Sequence, residues 1–258
     1  MITTYTSYTL ISRNLPSSLA RVAEKPDVAR ETEYYLANVG KIKSVDDFMA
    51  DTRIYNYALK AHGLEDMAYA KAFVRKVLTE GVASPDAFAR QLSDNRYAAL
   101  VETFNFEALG AATTSFDRAQ KGVVQKFERQ TLEEDAGAEN PGVRLALYFE
   151  RMAPSIKSGM EILADDALAE VVRTVLQLPD EVAALDVDRQ AAFIADVIDI
   201  EDFQDPAKVS KFLERFSALW ELENSPDVAS ATVLFAPSTG GISTDLLISI
   251  NSLKLGGK

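Results

Sequence analysis

The chain contains no cysteine. This removes disulfides, thiolate metal sites and cysteine nucleophiles, and it suits the cytosol as well as export through a reducing channel. Histidine is almost as scarce. His62 is the single one, so no two-histidine metal site and no imidazole dyad can form within one chain. Its position just before Gly63 predicts a helix C-terminus, where a capping or exposed imidazolium would interact well with the helix dipole. No stretch reaches the ~20 apolar residues of a membrane-crossing helix, so no membrane insertion is expected. The first eight residues, Met1 to Tyr8, lack the basic and apolar regions of a cleavable secretory signal. Positive charge is also short: 27 Lys and Arg stand against 39 Asp and Glu, for a net charge of −12. No run of basic residues could track a phosphate backbone, which argues against nucleic acid as a partner.

What is present is an ordinary globular balance, 47% hydrophobic and 26% charged over 258 residues. A chain of this length buries roughly 70–75% of its unfolded surface and needs no staples. One segment occurs twice. Ile42-Lys43-Ser44 followed by Phe48-Met49-Ala50-Asp51 returns as Ile156-Lys157-Ser158 followed by Ile162-Leu163-Ala164-Asp165, 114 residues later. Ser84-Pro85 with Phe88 and Leu92 returns as Asp205-Pro206 with Val209 and Leu213, at an offset of 121. The expected architecture is two related helical halves.

Periodicity and capping signals predict an all-α fold, a helical bundle of two related halves with a long connecting helix. Residues 1–31 read as an N-terminal arm, 32–134 as the first half, 135–224 as the second, and 225–258 as a tail with an amphipathic helix. In the first half, a helix from Glu31 to Val39 should end at Gly40. Ser44 with Asp47 forms a variant capping box before a helix running to Gly63. A helix from Glu65 to Glu80 should end at Gly81. Ser84-Pro85-Asp86 should open another with proline in its first turn. Short helical periodicity through Leu100, Val101 and Phe104 precedes the connecting helix, expected from Thr113 to Glu134. Asp135 to Gly142 reads as a polar link between the halves. Beyond it, Asn140-Pro141 starts a helix, Ser158 with Glu161 is a full capping box, Pro179 breaks the chain, a helix spans Asp186 to Ile200, and Asp205-Pro206 starts one carrying Phe212, Phe216 and Trp220. Thr232 to Phe235 is the one segment that could be a strand.

No cluster carries chemistry. Asp199 to Asp205 resembles a calcium loop but lacks its glycine at position 6 and its closing glutamate, and acidic pairs such as Asp46-Asp47 and Asp165-Asp166 read as caps and solvated faces. Gly240-Gly241 and Gly256-Gly257 lie in no phosphate-binding pattern. Ser243 and Thr244 have no base to activate them and suit N-caps. No catalytic residue, cofactor or metal is therefore expected. The terminal stripes, Leu10/Ile11/Leu15/Leu19 and Leu246/Leu247/Ile250/Leu253, either pack on the chain's own core or dock on a partner. Leu246, Leu247, Ile250 and Leu253 are the candidate partner-binding residues.

The run Phe48-Met49-Ala50-Asp51-Thr52-Arg53-Ile54 through Ala61-His62-Gly63-Leu64 resembles the recurring "FLxDxRL…KAxGL" segment of domain-of-unknown-function family 1217. Ser84 to Ala89, Phe104-Asn105-Phe106 and Phe212-Leu213-Glu214-Arg215-Phe216 resemble further segments of that family. It is found mainly in alphaproteobacteria and often lies among flagellar genes. The shared motifs concern packing and capping, so no catalytic residue transfers. The resemblance implies a non-enzymatic structural or protein-interaction component of the flagellum (basal body, export or assembly), cytoplasmic or flagellum-associated, with a flagellar protein partner. An axial rod or hook subunit fits less well, because Asn14 stands alone and Pro16, Pro26 and Pro237 interrupt the ends. The alternatives are a cytosolic chaperone for an exported subunit, or a small-ligand binder or enzyme with a pocket between the halves. The sequence fixes no oligomeric state.

Overall fold

The duplicated segment is a duplicated structure. In each copy a serine in extended conformation opens a short helix: Ser44 before α4 (Val45–Ala50) and Ser158 before α12 (Gly159–Leu163). The Asp47 and Glu161 amides donate to these serine hydroxyls at 3.1 and 3.2 Å. The same acids reach back to the amides of Lys43 and Lys157 at 3.0 and 2.8 Å, closing both boxes. Each short helix then stops at an aspartate that caps the next. Asp51 accepts from the Arg53 and Ile54 amides to start α5 (Thr52–Ala61), and Asp165 accepts from those of Ala167 and Leu168 to start α13 (Asp166–Leu176). The expectation of one unbroken helix behind each serine is corrected here, since each aspartate's own extended backbone bends the chain. The offset of 114 also links two tyrosines on preceding helices. Tyr34 on α3 (Pro26–Asn38) and Tyr148 on α11 (Pro141–Met152) each donate to the matching aspartate.

The structure, a computed structural model, describes residues 2–178, 182 and 185–224. Among the described residues every regular element is helical and no strand occurs. Residues 1–220 form one compact unit; 221–258 form a second, of which 221–224 are described. The segments around Pro179 and Thr232 to Phe235, and the residues Ser243, Thr244, Leu246, Leu247, Ile250 and Leu253, lie outside the described residues.

The N-terminal arm consists of α1 (Thr4–Arg13), α2 (Leu15–Ala23) and the first turns of α3. Ile11, Leu15 and Leu19 pack on the core, while Leu10 stays exposed. Gly40 does not take the left-handed conformation expected of it; it lies in a 3-10 turn, Val39–Lys41. The helix expected from Glu65 begins later, as α6 (Lys71–Glu80), and Gly81 ends it with φ +71°. Ser84 forms a turn by accepting from the Asp86 amide, and only α7 (Phe88–Gln91) follows. Next come α8 (Asn95–Thr103) and α9 (Phe106–Leu109).

The connecting helix is α10, Lys121–Glu139 rather than Thr113 to Glu134. Thr113 and Thr114 turn their hydroxyls onto the carbonyls of Asn105 and Ile42, which holds 110–115 in a 3-10 turn. At the other end the polar link shrinks to Asn140. Its side chain accepts from the Gly142 amide and caps α11 with Pro141 in first position. Gly137 lets α11 pass close to α10, because a Cβ there would meet Arg144 at 2.7 Å. The described residues close with α14 (Val187–Val197) and α15 (Pro206–Asn224), capped by Asp186 and Asp205.

Two apolar cores result. One gathers Tyr35, Phe48, Tyr55, Leu59, Phe104 and Phe127; the other gathers Phe149, Ile162, Val172, Phe203, Leu213 and Phe216. α10 serves both, through Val123, Phe127 and Leu132 on one side and Ala136 on the other. The arm's Tyr8 belongs to the second core, packed with α11.

Candidate functional site

The charged residues of highest burial gather where α10 and α11 run side by side. Glu133 is the centre, its side chain 1% exposed. Arg129, one turn before it, donates to it at 2.8 Å and to the Leu147 carbonyl at 2.9 Å. Arg151 donates to both Glu133 oxygens at 2.8 Å and to the Gln130 side chain at 3.1 Å. A buried carboxylate is tolerable only with such compensation. The network continues outward: Arg129 lies 3.7 Å from Glu150, which also accepts from Tyr8 and Ser12 of α1 at 3.0 and 2.6 Å. Burial, reinforced by Glu150, pushes the Tyr8 hydroxyl well above the usual phenol range.

A second group crosses from α8. Arg96 forks onto Asp94, donates to the Gly63 carbonyl at 2.7 Å, and stands 3.9 Å from Asp165. Asp165 therefore caps α13 with one oxygen and receives Tyr148 with the other, facing a guanidinium from the first half. Burial raises the Tyr148 hydroxyl, and the neighbouring Asp165 carboxylate raises it further. In the first copy, Tyr34 and Asp51 lie nearer the surface, with the Arg53 guanidinium 3.6 Å over the Tyr34 ring. Beside the Arg96 group opens a cleft of about 390 Å³, lined by Arg96, Gln130, Arg144, Tyr148, Asp165 and Asp166 among others.

His62 belongs to a third group and corrects an expectation. It does occupy the C-cap of α5, but it is 6% exposed and uncharged. Nδ1 lies 2.7 Å from the Ala58 carbonyl and Nε2 lies 3.0 Å from both Thr103 Oγ1 and Lys126 Nζ. Burial, then the Lys126 charge, lowers its pKa to about 3. Burial also lowers the pKa of Lys126, and Arg151 adds to the effect. A neutral imidazole donates from Nδ1 and accepts at Nε2, which fits these partners. Near neutral pH it carries no charge.

Chemically, this seam fastens. Glu133, Asp165, Asp94 and Glu150 each meet a cation, a phenol or a capped amide within the protein. Among the described residues, no group of three or more His, Cys, Asp or Glu is placed to hold a metal ion, and no helix is long and apolar enough to cross a membrane. Sequence reasoning missed Tyr34, Tyr148, Arg96 and the Glu133 network. The signal for the tyrosines was available, because the offset of 114 that relates Asp51 to Asp165 also relates them.

A family profile described as "Protein of unknown function (DUF1217)" matches residues 61–209. Among solved structures, an X-ray crystal structure of a protein from Agrobacterium tumefaciens, a structural-genomics target, is 62% identical, covers 86% of this chain and 94% of its own, and superposes with a TM-score of 0.80. No curated protein matches the chain. The profile spans more than half the sequence, including His62, Gly63, the Glu133 network and both members of the Tyr148–Asp165 pair, and the chain belongs to the DUF1217 family.

Proposed function

We propose that this protein is a non-enzymatic, protein-interaction component associated with the bacterial flagellum. The observation that carries the interaction reading is the internal use of the seam's charges. Glu133, held by Arg129 and Arg151, joins α10 to α11 and leaves a firm body on which surfaces can be presented. Large apolar side chains do stand on that surface, among them Tyr69 and Val197 at 83% and 53% exposure. The flagellar association rests on the family resemblance, and the candidate partner-binding residues remain Leu246, Leu247, Ile250 and Leu253.

The test is a pull-down from flagellated cells with the full chain as bait, repeated without residues 246–258. A flagellar protein captured by the first bait and lost with the second is the expected result. Capture unchanged by truncation would remove the tail from the reading. No flagellar protein with either bait would overturn the association.

The cleft beside Arg96 favours a second reading, a small-ligand binder, because Arg144 lines it and makes no ion pair among the described residues. A ligand screen followed by melting temperature would support it through a rise that Arg144→Ala abolishes.

A further inference from the structure

Two cations without an ion pair among the described residues stand beside an apolar groove. The floor is formed by Val175, Val197, Ile198, Phe203 and Phe212, where the ends of α13 and α14 meet the early turns of α15, and the groove encloses about 430 Å³. It lies open to solvent, and Val197 is half exposed within it. Lys208, Lys211 and Arg215 also line it. They recur at intervals of three and four on α15 and therefore share a helix face. Lys208 is paired with Asp202. Lys211 and Arg215 make no ion pair among the described residues, in a chain whose net charge is −12. Asp199, whose carboxylate caps the 3-10 turn Ile200–Gln204, and Asp202 also line the groove.

We propose that this groove docks an amphipathic helix of a partner protein, with its apolar stripe on Val197 and Phe212 and an acidic edge along Lys211 and Arg215. The charge pattern selects that partner. Positions four apart on a helix advance about 6 Å, so carboxylates at i and i+4 of a helix lying along α15 match the step from Lys211 to Arg215. Open apolar grooves with charged rims are a recurrent means of helix recognition. This surface extends the interaction reading but depends neither on residues 246–258 nor on flagellar cells.

The probes are three labelled helical peptides: a leucine stripe edged by glutamates at i, i+4, the same stripe edged by lysines, and the glutamate peptide with serine replacing leucine. Anisotropy with the full chain should show the glutamate–leucine peptide binding at least about ten-fold tighter than either control, the size expected when close charge pairs are complementary rather than opposed. The double variant Lys211→Glu/Arg215→Glu, at two exposed positions, should keep the melting temperature and prefer the lysine-edged peptide. Val197→Asp should weaken both leucine peptides. The proposal falls if the glutamate–leucine peptide does not bind, or if its preference survives the charge reversal. It also falls if dodecanoate displaces that peptide while lysine- and glutamate-edged forms bind alike. Sedimentation as a dimer that Val197→Asp converts to a monomer would make the groove a self-interface and overturn it.

Discussion

Gln177 holds a left-handed backbone, φ 49° and ψ 50°, at the position that is Gly63 in the first half. Both end a helix with the same pattern: the amide after each returns to a carbonyl five residues back, Leu64 to Leu59 at 2.9 Å and Leu178 to Arg173 at 3.2 Å. Glycine adopts this conformation freely, whereas a side chain costs about 1–2 kcal/mol. Allowing for glycine's greater unfolded entropy, Gln177→Gly should stabilise by about 0.5–1 kcal/mol, and Gly63→Ala should destabilise by about 1 kcal/mol. Thermal unfolding of the two variants checks this through shifts of opposite sign. His62 makes a prediction of a different kind. Its folded pKa is about 3, against 6.5 for a free imidazole. Its contribution is whole above pH 6.5. Below that the unfolded chain takes up a proton that the folded chain refuses, so stability drops by roughly 1.4 kcal/mol per pH unit as far as about pH 3. Urea unfolding at pH 7 and pH 5 should show a smaller loss in His62→Gln than in the parent, and equal losses would refute the buried neutral histidine.

At the scale of elements, α10 and α11 are separated by Asn140 alone and fastened through Glu133. Glu133→Gln leaves Arg129 and Arg151 facing each other without their common anion. The expected cost is roughly 3–5 kcal/mol, measured as a lowered denaturation midpoint with an unchanged slope. What the sequence revealed and what it hid divide at this scale. The boxes at Ser44 and Ser158 and the starts at Asn140, Asp186 and Asp205 were readable because a cap acts on amides two or three residues away. The breaks at Asp51 and Asp165 were hidden because apolar periodicity runs on either side of them, and a capping aspartate looks the same as a solvated one. The late start of α10 depends on Thr114 finding the Ile42 carbonyl, a contact made by tertiary structure. The seam was unreadable for the same reason: Arg151 and Glu133 lie 18 positions apart, Arg96 and Gly63 lie 33 apart, and no local pattern marks either pair. Periodicity and capping reached the all-α fold correctly, since both are set by residues a few positions apart.

Taken whole, the described molecule is two cores strung on one helix, with a copied α3–α5 unit in the first half answered by α11–α13 in the second. The copies have since taken different surroundings. Tyr34 and Asp51 face outward under Arg53, while Tyr148 and Asp165 face Arg96 across the seam. The repeated caps give both units the same framework, and the differences between them provide the join. The arm adds one more tie, and it runs against the order of synthesis. Tyr8 is bound to Glu150, 142 positions further along. A chain made from its N-terminal end can assemble the first core while Tyr8 still has no counterpart, because α11 has yet to be made. Ile11 of α1 can pack on the first core, but Tyr8 must wait to close over the second core once that core exists. The helix of Tyr8 is therefore fully seated only after the partner it holds, more than a hundred residues downstream, has been made.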